Sequence, residues 1–333
     1  MALKIAINGF GRIGRCVARI AHTRDDVELV AINDMTSIDM LVYLLKNDSV
    51  HGGFSETIEI IDENHIRISG KSIKVFSEPD PKNLKFADYG ADIVLECTGV
   101  FLTREFAGLH IDNGIKKVLF SAPANDKNTP TFVMGVNEHL YNGQNIVSNA
   151  SCTTNCLAPI AKTLNDAFSI EKGLMTTIHS YTNDQNILDF KHSRDKRRSR
   201  AGAINMIPTT TGAAKAIDLV LPELHGKLHG QSVRVPTPDV SMLDLNVIVK
   251  KDTSKEEVNA LFNKMADTEL EGIVLIDKDM RVSQDFIGCN YSSVFAEDLT
   301  QVIDGNMIKV MAWYDNEWGY STRLIDMALH ISK

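Results

Sequence analysis

Short runs of β-branched and aliphatic residues alternate with longer stretches of helical period through the first half of the chain, the pattern of a parallel sheet covered by helices. Strands are predicted at Leu3–Asn8, Val27–Asn33, Ile73–Phe76, Ile93–Cys97, Lys117–Phe120 and Ile146–Ser148. Between the first two, Ile13, Val17, Ile20 and Ala21 share one face at helical spacing, so Gly11–His22 should be a helix packed on that sheet. The three elements together form a βαβ unit.

From Cys152 a second helical pattern runs through Leu157, Ile160, Ala161 and Leu164, and beyond it the chain turns to long alternating strands. Leu174–Thr182, Ser232–Lys250, Ile273–Ile276, Ser292–Ala296 and Met307–Tyr314 predict a largely antiparallel sheet, with helices near Thr211–Leu221 and Ser254–Ala266. Leu324, Ile325, Ala328 and Ile331 place a terminal helix over Tyr320–Ser332, without revealing which domain it packs against. There is no internal repeat, low-complexity tract or flexible linker.

A length of 333 residues suits two domains of ordinary size. Hydrophobic residues at 44% and charged residues at 23% are values of a soluble globular chain, and no apolar run approaches the length of a membrane span. The N-terminus reads directly as a strand and not as a signal peptide, so a cytoplasmic location is expected. Five cysteines on irregular spacings (16, 97, 152, 156 and 289) argue for thiols rather than a disulfide framework. A formal charge of −8 works against nucleic acid or an anionic membrane as the main partner. The one basic cluster, Arg194 to Arg200, is compatible with a solvated loop, a nucleic-acid patch or a small-anion site.

Two segments carry chemistry. Asn8-Gly9-Phe10-Gly11-Arg12-Ile13-Gly14 places Gly-x-Gly-x-x-Gly after a strand and at the opening of a helix. Gly9 permits the tight turn, Gly11 lets backbone approach a pyrophosphate, and Gly14 lets helix and strand pack closely, so that the helix N-terminus attracts the anion. Asp34 lies 20 residues past Gly14 at the end of the second strand, where a carboxylate accepts hydrogen bonds from an adenosine ribose. A 2′-phosphate would set negative charge beside it, so NAD is favoured over NADP.

The second segment, Ser151-Cys152-Thr153-Thr154-Asn155-Cys156, follows the last strand of the first half and starts a helix. Unpaired N–H groups and the macrodipole at a helix N-terminus stabilise a thiolate, and the Ser and Thr neighbours can cap them, which marks Cys152 as a nucleophile. Cys16, Cys97 and Cys289 sit in apolar patterns and read as packing residues. Cys156 lies one turn further into the helix, with packing as its expected role; the ligand spacing for a metal site is missing, so no metal is expected. His179 in Thr177-Ile178-His179-Ser180-Tyr181-Thr182 is a candidate base, one of ten histidines, and residue patterns alone do not single it out.

Asn8–Gly14, the hexapeptide 151–156, His-Ser-Tyr-Thr-Asn-Asp-Gln at 179–185, Thr-Gly-Ala-Ala-Lys-Ala at 211–216, Arg-Val-Pro-Thr-Pro at 234–238 and Trp-Tyr-Asp-Asn-Glu-Trp-Gly-Tyr at 313–320 occur in order over nearly the whole chain. The sequence thereby resembles the glyceraldehyde-3-phosphate dehydrogenase family. The resemblance implies a Rossmann-type NAD domain over 1–150 and 317–333, with the terminal helix returning to it, and an α+β catalytic domain over 151–316. It implies that Cys152 attacks the aldehyde to give a thiohemiacetal and then a thioester, with His179 as base, and that inorganic phosphate releases an acyl phosphate. By the same resemblance Thr182 and Arg234 bind the substrate's phosphate, while Ser151, Thr153, Arg198, Thr211 and Gly212 surround the attacking phosphate. Arg12, Ile13, Asp34, Thr98, Ser121 and Asn316 would contact NAD, Asn316 through the nicotinamide amide. A homotetramer is implied as well.

The loop Leu188-Asp189-Phe190-Lys191-His192-Ser193-Arg194-Asp195 departs from the Leu-Pro-His-Lys-Asp common in NAD-specific members and carries one more residue. By the same resemblance this loop is similar to the one that reaches a neighbouring subunit's adenosine ribose, so Lys191 would soften the discrimination against NADP that Asp34 supplies, and the extra residue loosens the alignment of Arg198. Two other readings compete: a member of the same family acting on erythrose 4-phosphate, and a non-enzymatic protein that binds NAD or RNA. The acidic balance and the intact Cys152/His179 pair weigh against the second.

Overall fold

A computed structural model describes residues 2–193 and 195–333; Arg194, the first residue of the basic cluster, lies outside the described residues. The chain divides into two units, one of Met1–Phe132, Glu138–Ala150 and Ser321–Lys333, the other of Val133–Asn137 and Ser151–Tyr320.

The first unit runs β1 (Leu3–Asn8), α1 (Arg12–His22), β2 (Val27–Asn33), α2 (Ile38–Lys46), β3 (Ile58–Asp62), β4 (His65–Ile68), β5 (Lys71–Phe76), β6 (Ile93–Glu96), α3 (Arg104–Asp112), β7 (Lys117–Phe120) and β8 (Ile146–Ser148). The strand order is β3-β4-β5-β2-β1-β6-β7-β8. The six strands from β5 to β8 are parallel, and β3 and β4 extend the edge antiparallel. Ile5, Ala6 and Ile7 are fully buried, as a central strand covered on both faces requires. The chain leaves β1 toward β2 on one side and reaches β6 on the other, so the C-terminal end of β1 is a topological switch point, where open α/β sheets bind ligands.

The second unit begins with α4 (Cys152–Phe168) and continues through β9 (Ile170–Ser180), β10 (Ile207–Thr210), α5 (Ala213–Val220), β11 (Leu228–Val235), β12 (Ser241–Val249), α6 (Lys255–Ala266), β13 (Val274–Asp277), β14 (Ser293–Ala296), β15 (Gln301–Ile303) and β16 (Met307–Tyr314). The terminal helix α7 (Trp318–Ile331) starts in this unit and from Ser321 belongs to the first. The sheet β10-β11-β9-β12-β16-β14-β13 is antiparallel except at β11/β9 and β13/β14. Leu157, Ile160, Ala161 and Leu164 of α4 are fully buried, the helical face read from the sequence, and Phe262 stacks on Phe295 at 4.1 Å.

The predicted run Ser232–Lys250 is two strands. Pro236 and Pro238 interrupt it, because neither can donate a ladder hydrogen bond, and the chain reverses through Val240 at φ 63°. The sequence patterns do not predict α2, α3, β3, β4, β10 or β15: the strands are short, and β3 is exposed over four of its five residues, so its periodicity is weak. Among the described residues no helix is long and apolar enough to cross a membrane.

Candidate active site

The glycine motif in the first unit has the shape of an anion cradle. Gly9 has φ 93°, and a Cβ there would lie 2.6 Å from the Thr98 nitrogen; a Cβ on Gly14 would lie 2.3 Å from the Gly9 carbonyl oxygen. Both positions therefore require glycine. A Cβ on Gly11 would meet nothing within 4 Å, so this side of the turn has the open approach that a pyrophosphate needs. Gly11 is also the N-cap of α1 without a side-chain cap, and the first turn holds no acid, so the N–H groups and positive dipole end stay available to an anion. These residues fit a dinucleotide.

Asp34 is locked beside this loop: its Oδ2 accepts from the Phe10 N–H at 2.8 Å and its Oδ1 from the Thr36 N–H at 3.0 Å. The Arg12 guanidinium pairs with Asp48, a partner that sequence reading missed. Thr98 donates through both its N–H (2.9 Å) and its hydroxyl to the buried Glu96 carboxylate, which also accepts from the Asn8 amide at 2.7 Å. The loop after β6 is thus tied to the residue before Gly9. Ser121 continues from β7, its N–H on the Glu96 carbonyl at 3.0 Å, and Ile13 is half-buried in the first turn of α1.

The substitution Gly14→Ala should lower NAD affinity by about tenfold or more, because the new methyl must push the Gly9 turn out of place, and such overpacking costs on the order of 1–3 kcal/mol. Calorimetric titration of this variant with NAD checks the prediction; wild-type affinity would refute the reading of the cradle.

The chain passes from Ala150, the last residue of its segment of the first unit and held at φ 56°, to the cap of α4, Ser151, whose hydroxyl accepts from the Thr154 N–H at 3.1 Å. A non-glycine residue in the left-handed region is a local strain of the kind found where a side chain must be aimed. Cys152, the first residue of the helix, is partly exposed, and its sulfur lies 3.7 Å from His179 Nε2 at the end of β9. His179 Nδ1 is 2.7 Å from the Ser180 carbonyl oxygen, which can only accept; the network therefore assigns the proton to Nδ1 and leaves Nε2 as an acceptor facing the thiol. The 3.1 Å approach of Arg234 Nη1 to Nδ1 is then a close contact of two donors, while Arg234 donates to the Ser180 carbonyl at 3.1 Å.

Burial, and after it the positive charge of Arg234, lowers the His179 pKa to about 3, so the imidazole is neutral in the resting protein. Burial likewise pushes the Cys152 thiol above its usual value, with Arg234, the Thr153 hydroxyl and N–H, and the residue's own N–H pulling it back. The helix N-terminus alone suggests a stabilised thiolate; desolvation outweighs it, and the adjacent neutral base becomes necessary. Desolvation pushes the thiol of the fully buried Cys156 up to about 12, and it does the same to the half-buried Cys97. Cys152 thus differs from both in having a base at hand. All five cysteines are thiols.

Around this pair the structure gathers several of the expected anion ligands. Arg234 on β11 reaches the Thr182 hydroxyl at 3.4 Å. Arg198 acts electrostatically on both His179 and Arg234, but its guanidinium is held by Asp184, the Thr209 hydroxyl (2.9 Å) and the Thr210 carbonyl (3.2 Å). Thr211 caps the Ala213 N–H at 3.2 Å and Gly212 is the N-cap of α5. No direct bond joins Thr211 or Gly212 to Ser151 or Thr153 among the described hydrogen bonds. Lys196, Arg197 and Arg200 lie at the surface, Arg200 paired with Asp189.

Asn316 Oδ1 accepts from the hydroxyls of Ser180 (2.9 Å) and Ser241 (2.7 Å), which orients the amide and leaves its NH2 as the donating end. Sequence reasoning missed Asp184, Thr209 and Ser241. Asp184 stands inside the motif after His179, and nothing local marks the other two.

Two family models match the chain: the NAD-binding domain of glyceraldehyde 3-phosphate dehydrogenase over residues 3–104 and its C-terminal domain over residues 151–316. Glyceraldehyde-3-phosphate dehydrogenase 1 of Bacillus cereus is 53% identical over 331 residues, covering 99% of this chain and 98% of the relative. The Geobacillus stearothermophilus dehydrogenase is 52% identical over 334 residues, covering 100% and 99%. That of Escherichia fergusonii is 49% identical over 333 residues, the full length of both.

Proposed function

The chain belongs to the glyceraldehyde-3-phosphate dehydrogenase family, and from that premise we propose how its own residues carry out the NAD-dependent, phosphorylating oxidation of glyceraldehyde 3-phosphate. The observation that carries the reading is the Cys152 sulfur 3.7 Å from an unprotonated His179 nitrogen beside the half-buried Arg234. In this reading 1–150 and 317–333 are the cofactor domain and 151–316 the catalytic domain, a functional division that differs from the compact units at Val133–Asn137 and at 317–320.

His179 Nε2 takes the thiol proton and returns it to the aldehyde oxygen as the Cys152 sulfur attacks the carbonyl carbon, giving a neutral thiohemiacetal. The Cys152 N–H and His179 face the developing oxyanion. Nε2 then withdraws the hydroxyl proton while the carbon gives up hydride, leaving a thioester on Cys152. Bound NAD supplies the hydride acceptor. Phosphate attacks the thioester carbon, the C–S bond breaks, and Cys152 leaves as the thiolate and regains a proton from His179. The acyl phosphate keeps the energy of the oxidation because a thioester is an activated acyl group.

Arg234 and Thr182 hold the substrate's phosphate, and Ser151, Thr153, Arg198, Thr211 and Gly212 the attacking one, since dianions need cationic and hydroxyl donors. Gly9, Gly11, Arg12, Ile13, Gly14, Asp34, Thr98 and Ser121 hold the cofactor, with Asn316 donating to the nicotinamide amide. The enzyme is a homotetramer in this reading. What supports assembly is the loop after His179, where Ile187, Leu188, Phe190, Ile204 and Met206 are each at least 60% exposed, an unusual apolar concentration for a monomer's surface. A cytoplasmic location suits a catalytic thiol that must stay reduced.

Mixing the protein with glyceraldehyde 3-phosphate and NAD should give sustained NADH only when phosphate or arsenate is present, and a single burst limited to the enzyme concentration without it. Turnover independent of the anion would overturn the phosphorylating mechanism. Faster turnover with erythrose 4-phosphate would move the substrate to that sugar.

A further inference from the structure

Three neighbouring strands of the parallel sheet end beside the glycine turn, and a line of buried side chains runs across their ends. Asn8 ends β1, Asn33 ends β2 and Glu96 ends β6; they are 0%, 5% and 1% exposed. Asn33 Nδ2 donates to Asn8 Oδ1 at 2.8 Å, and Asn8 Nδ2 donates to Glu96 Oε2 at 2.7 Å. The other carboxylate oxygen, Oε1, accepts from the Thr98 N–H at 2.9 Å and from the Thr98 hydroxyl.

The direction of this line is set by main chain. The Glu78 N–H can only donate, and it lies 2.9 Å from the Asn33 amide oxygen; the Glu78 carbonyl can only accept, and it lies 3.0 Å from the Asn33 NH2. Neither amide can therefore be turned over: the Asn33 NH2 points at Asn8, so Asn8 offers its oxygen there and its own NH2 to residue 96. The Thr98 N–H, a second fixed donor, also points at residue 96. A side chain that accepts at both oxygens and donates at neither is required, which a glutamate supplies and a glutamine does not.

What Glu96 holds is the shape of the cradle. Thr98 is packed so closely on the turn that a Cβ at Gly9 would lie 2.6 Å from its nitrogen. Thr98 Oγ1, its proton given to Glu96, accepts in turn from the N–H groups of Val100 at 3.1 Å and Phe101 at 3.4 Å. One carboxylate thus ties the residue before Gly9, the residue packed on Gly9 and the start of the loop after β6. Three donors satisfy it in its buried place, and His110 of α3 faces it with Nε2 3.9 Å from Oε2.

We propose that Glu96 is a positioning residue for the cofactor: through its two acceptor oxygens it clamps Asn8 and Thr98 about Gly9 and holds the dinucleotide turn in its binding shape before NAD arrives. This rests on the glycine turn being the pyrophosphate cradle. A turn already in its bound shape loses little freedom on binding; once released it relaxes, and the ligand must restore it, which lowers affinity.

The test is calorimetric NAD titration of full-length Glu96→Gln, Asn8→Asp and the double variant. Glu96→Gln sets two donors face to face, and Asn8→Asp sets two carboxylates face to face. The double variant keeps the total charge and every pairing: the new carboxylate at 8 accepts from Asn33 with one oxygen and from the amide at 96 with the other, while the amide oxygen at 96 accepts from Thr98. Each single variant should weaken NAD binding about tenfold or more, and the double variant should return to within about threefold of wild type, a recovery that independent effects cannot give. The loss in Glu96→Gln should appear in the KM for NAD rather than in kcat.

A purely structural role would lower the melting temperature of Glu96→Gln and leave its NAD affinity at the wild-type value, which overturns the proposal. A double variant as weak as the single ones overturns it too. If a single variant does not fold, the double variant decides: folded with near-wild-type affinity it supports the clamp, and unfolded or weakly binding it overturns it. Wild-type affinity in Gly14→Ala would instead overturn the reading of the cradle on which the proposal rests.

Discussion

Replacing Cys152 by serine should abolish turnover, with a fall in kcat of about four orders of magnitude or more, while NAD binding and the fold stay intact. Serine differs by one atom and keeps a small hydrogen-bonding side chain at the start of α4, so the Ser151 cap and the helix are undisturbed. What is lost is a nucleophile that a neutral imidazole can deprotonate. An alcohol is a far weaker acid than the buried thiol, and His179, held to about 3, is too weak a base to take its proton. An oxygen ester, if formed, would also be a less activated acyl donor to phosphate. NADH production by the purified variant, with calorimetric NAD titration and melting temperature as controls, checks this. Retention of turnover within about tenfold of wild type would show that the covalent step does not pass through residue 152.

His179→Asn should reduce kcat/KM by about 10²–10⁴-fold, the range expected when a positioned base is removed. Its pH profile should also change form. In the wild type His179 has a folded pKa depressed from 6.5 to about 3, so it stays neutral and competent across the ordinary working range. No acid limb near 6.5 is therefore expected, and because His179 takes the thiol proton within the attack step, wild-type activity should be nearly level with pH across that range. In the asparagine variant, activity should climb about tenfold per pH unit, because thiolate must form without help. An unfolded chain takes up a proton at His179 below about 6.5 that the folded chain refuses until about 3, so this residue removes stability as pH falls through that window. The variant should consequently lose less melting temperature on acidification than the wild type. An unchanged pH–rate profile, or a loss of less than about tenfold, would remove His179 from the role of base.

Much of the first unit was legible because its signals are local. β1, β2, β7 and β8 have the predicted bounds, and α1 begins one residue later than predicted. The Gly9, Gly11 and Gly14 spacing follows from backbone geometry within one short turn, where each missing Cβ has its own consequence. The antiparallel hairpin β3/β4 is not legible because an edge strand that faces solvent has no apolar stripe to announce it. Position at a helix start singles out Cys152 from the other cysteines. Its expected thiolate character does not follow, since desolvation depends on residues brought in from β9, β11 and β16.

The sequence by itself determined the two fold classes, the glycine turn with its acidic neighbour Asp34, the place of Cys152 at the head of α4 and, through its motifs, the family. Only the tertiary structure decided which of ten histidines faces the thiol and which ring nitrogen it offers. It alone placed Arg234 against that imidazole, tied Arg198 to Asp184, and set Tyr314 between Thr153 and Thr177 across separations of 161 and 137 residues. The reason is physical: a capping residue or a glycine turn is fixed by atoms a few bonds away, whereas charge state and proton direction depend on burial and on neighbours that only the folded sheet assembles.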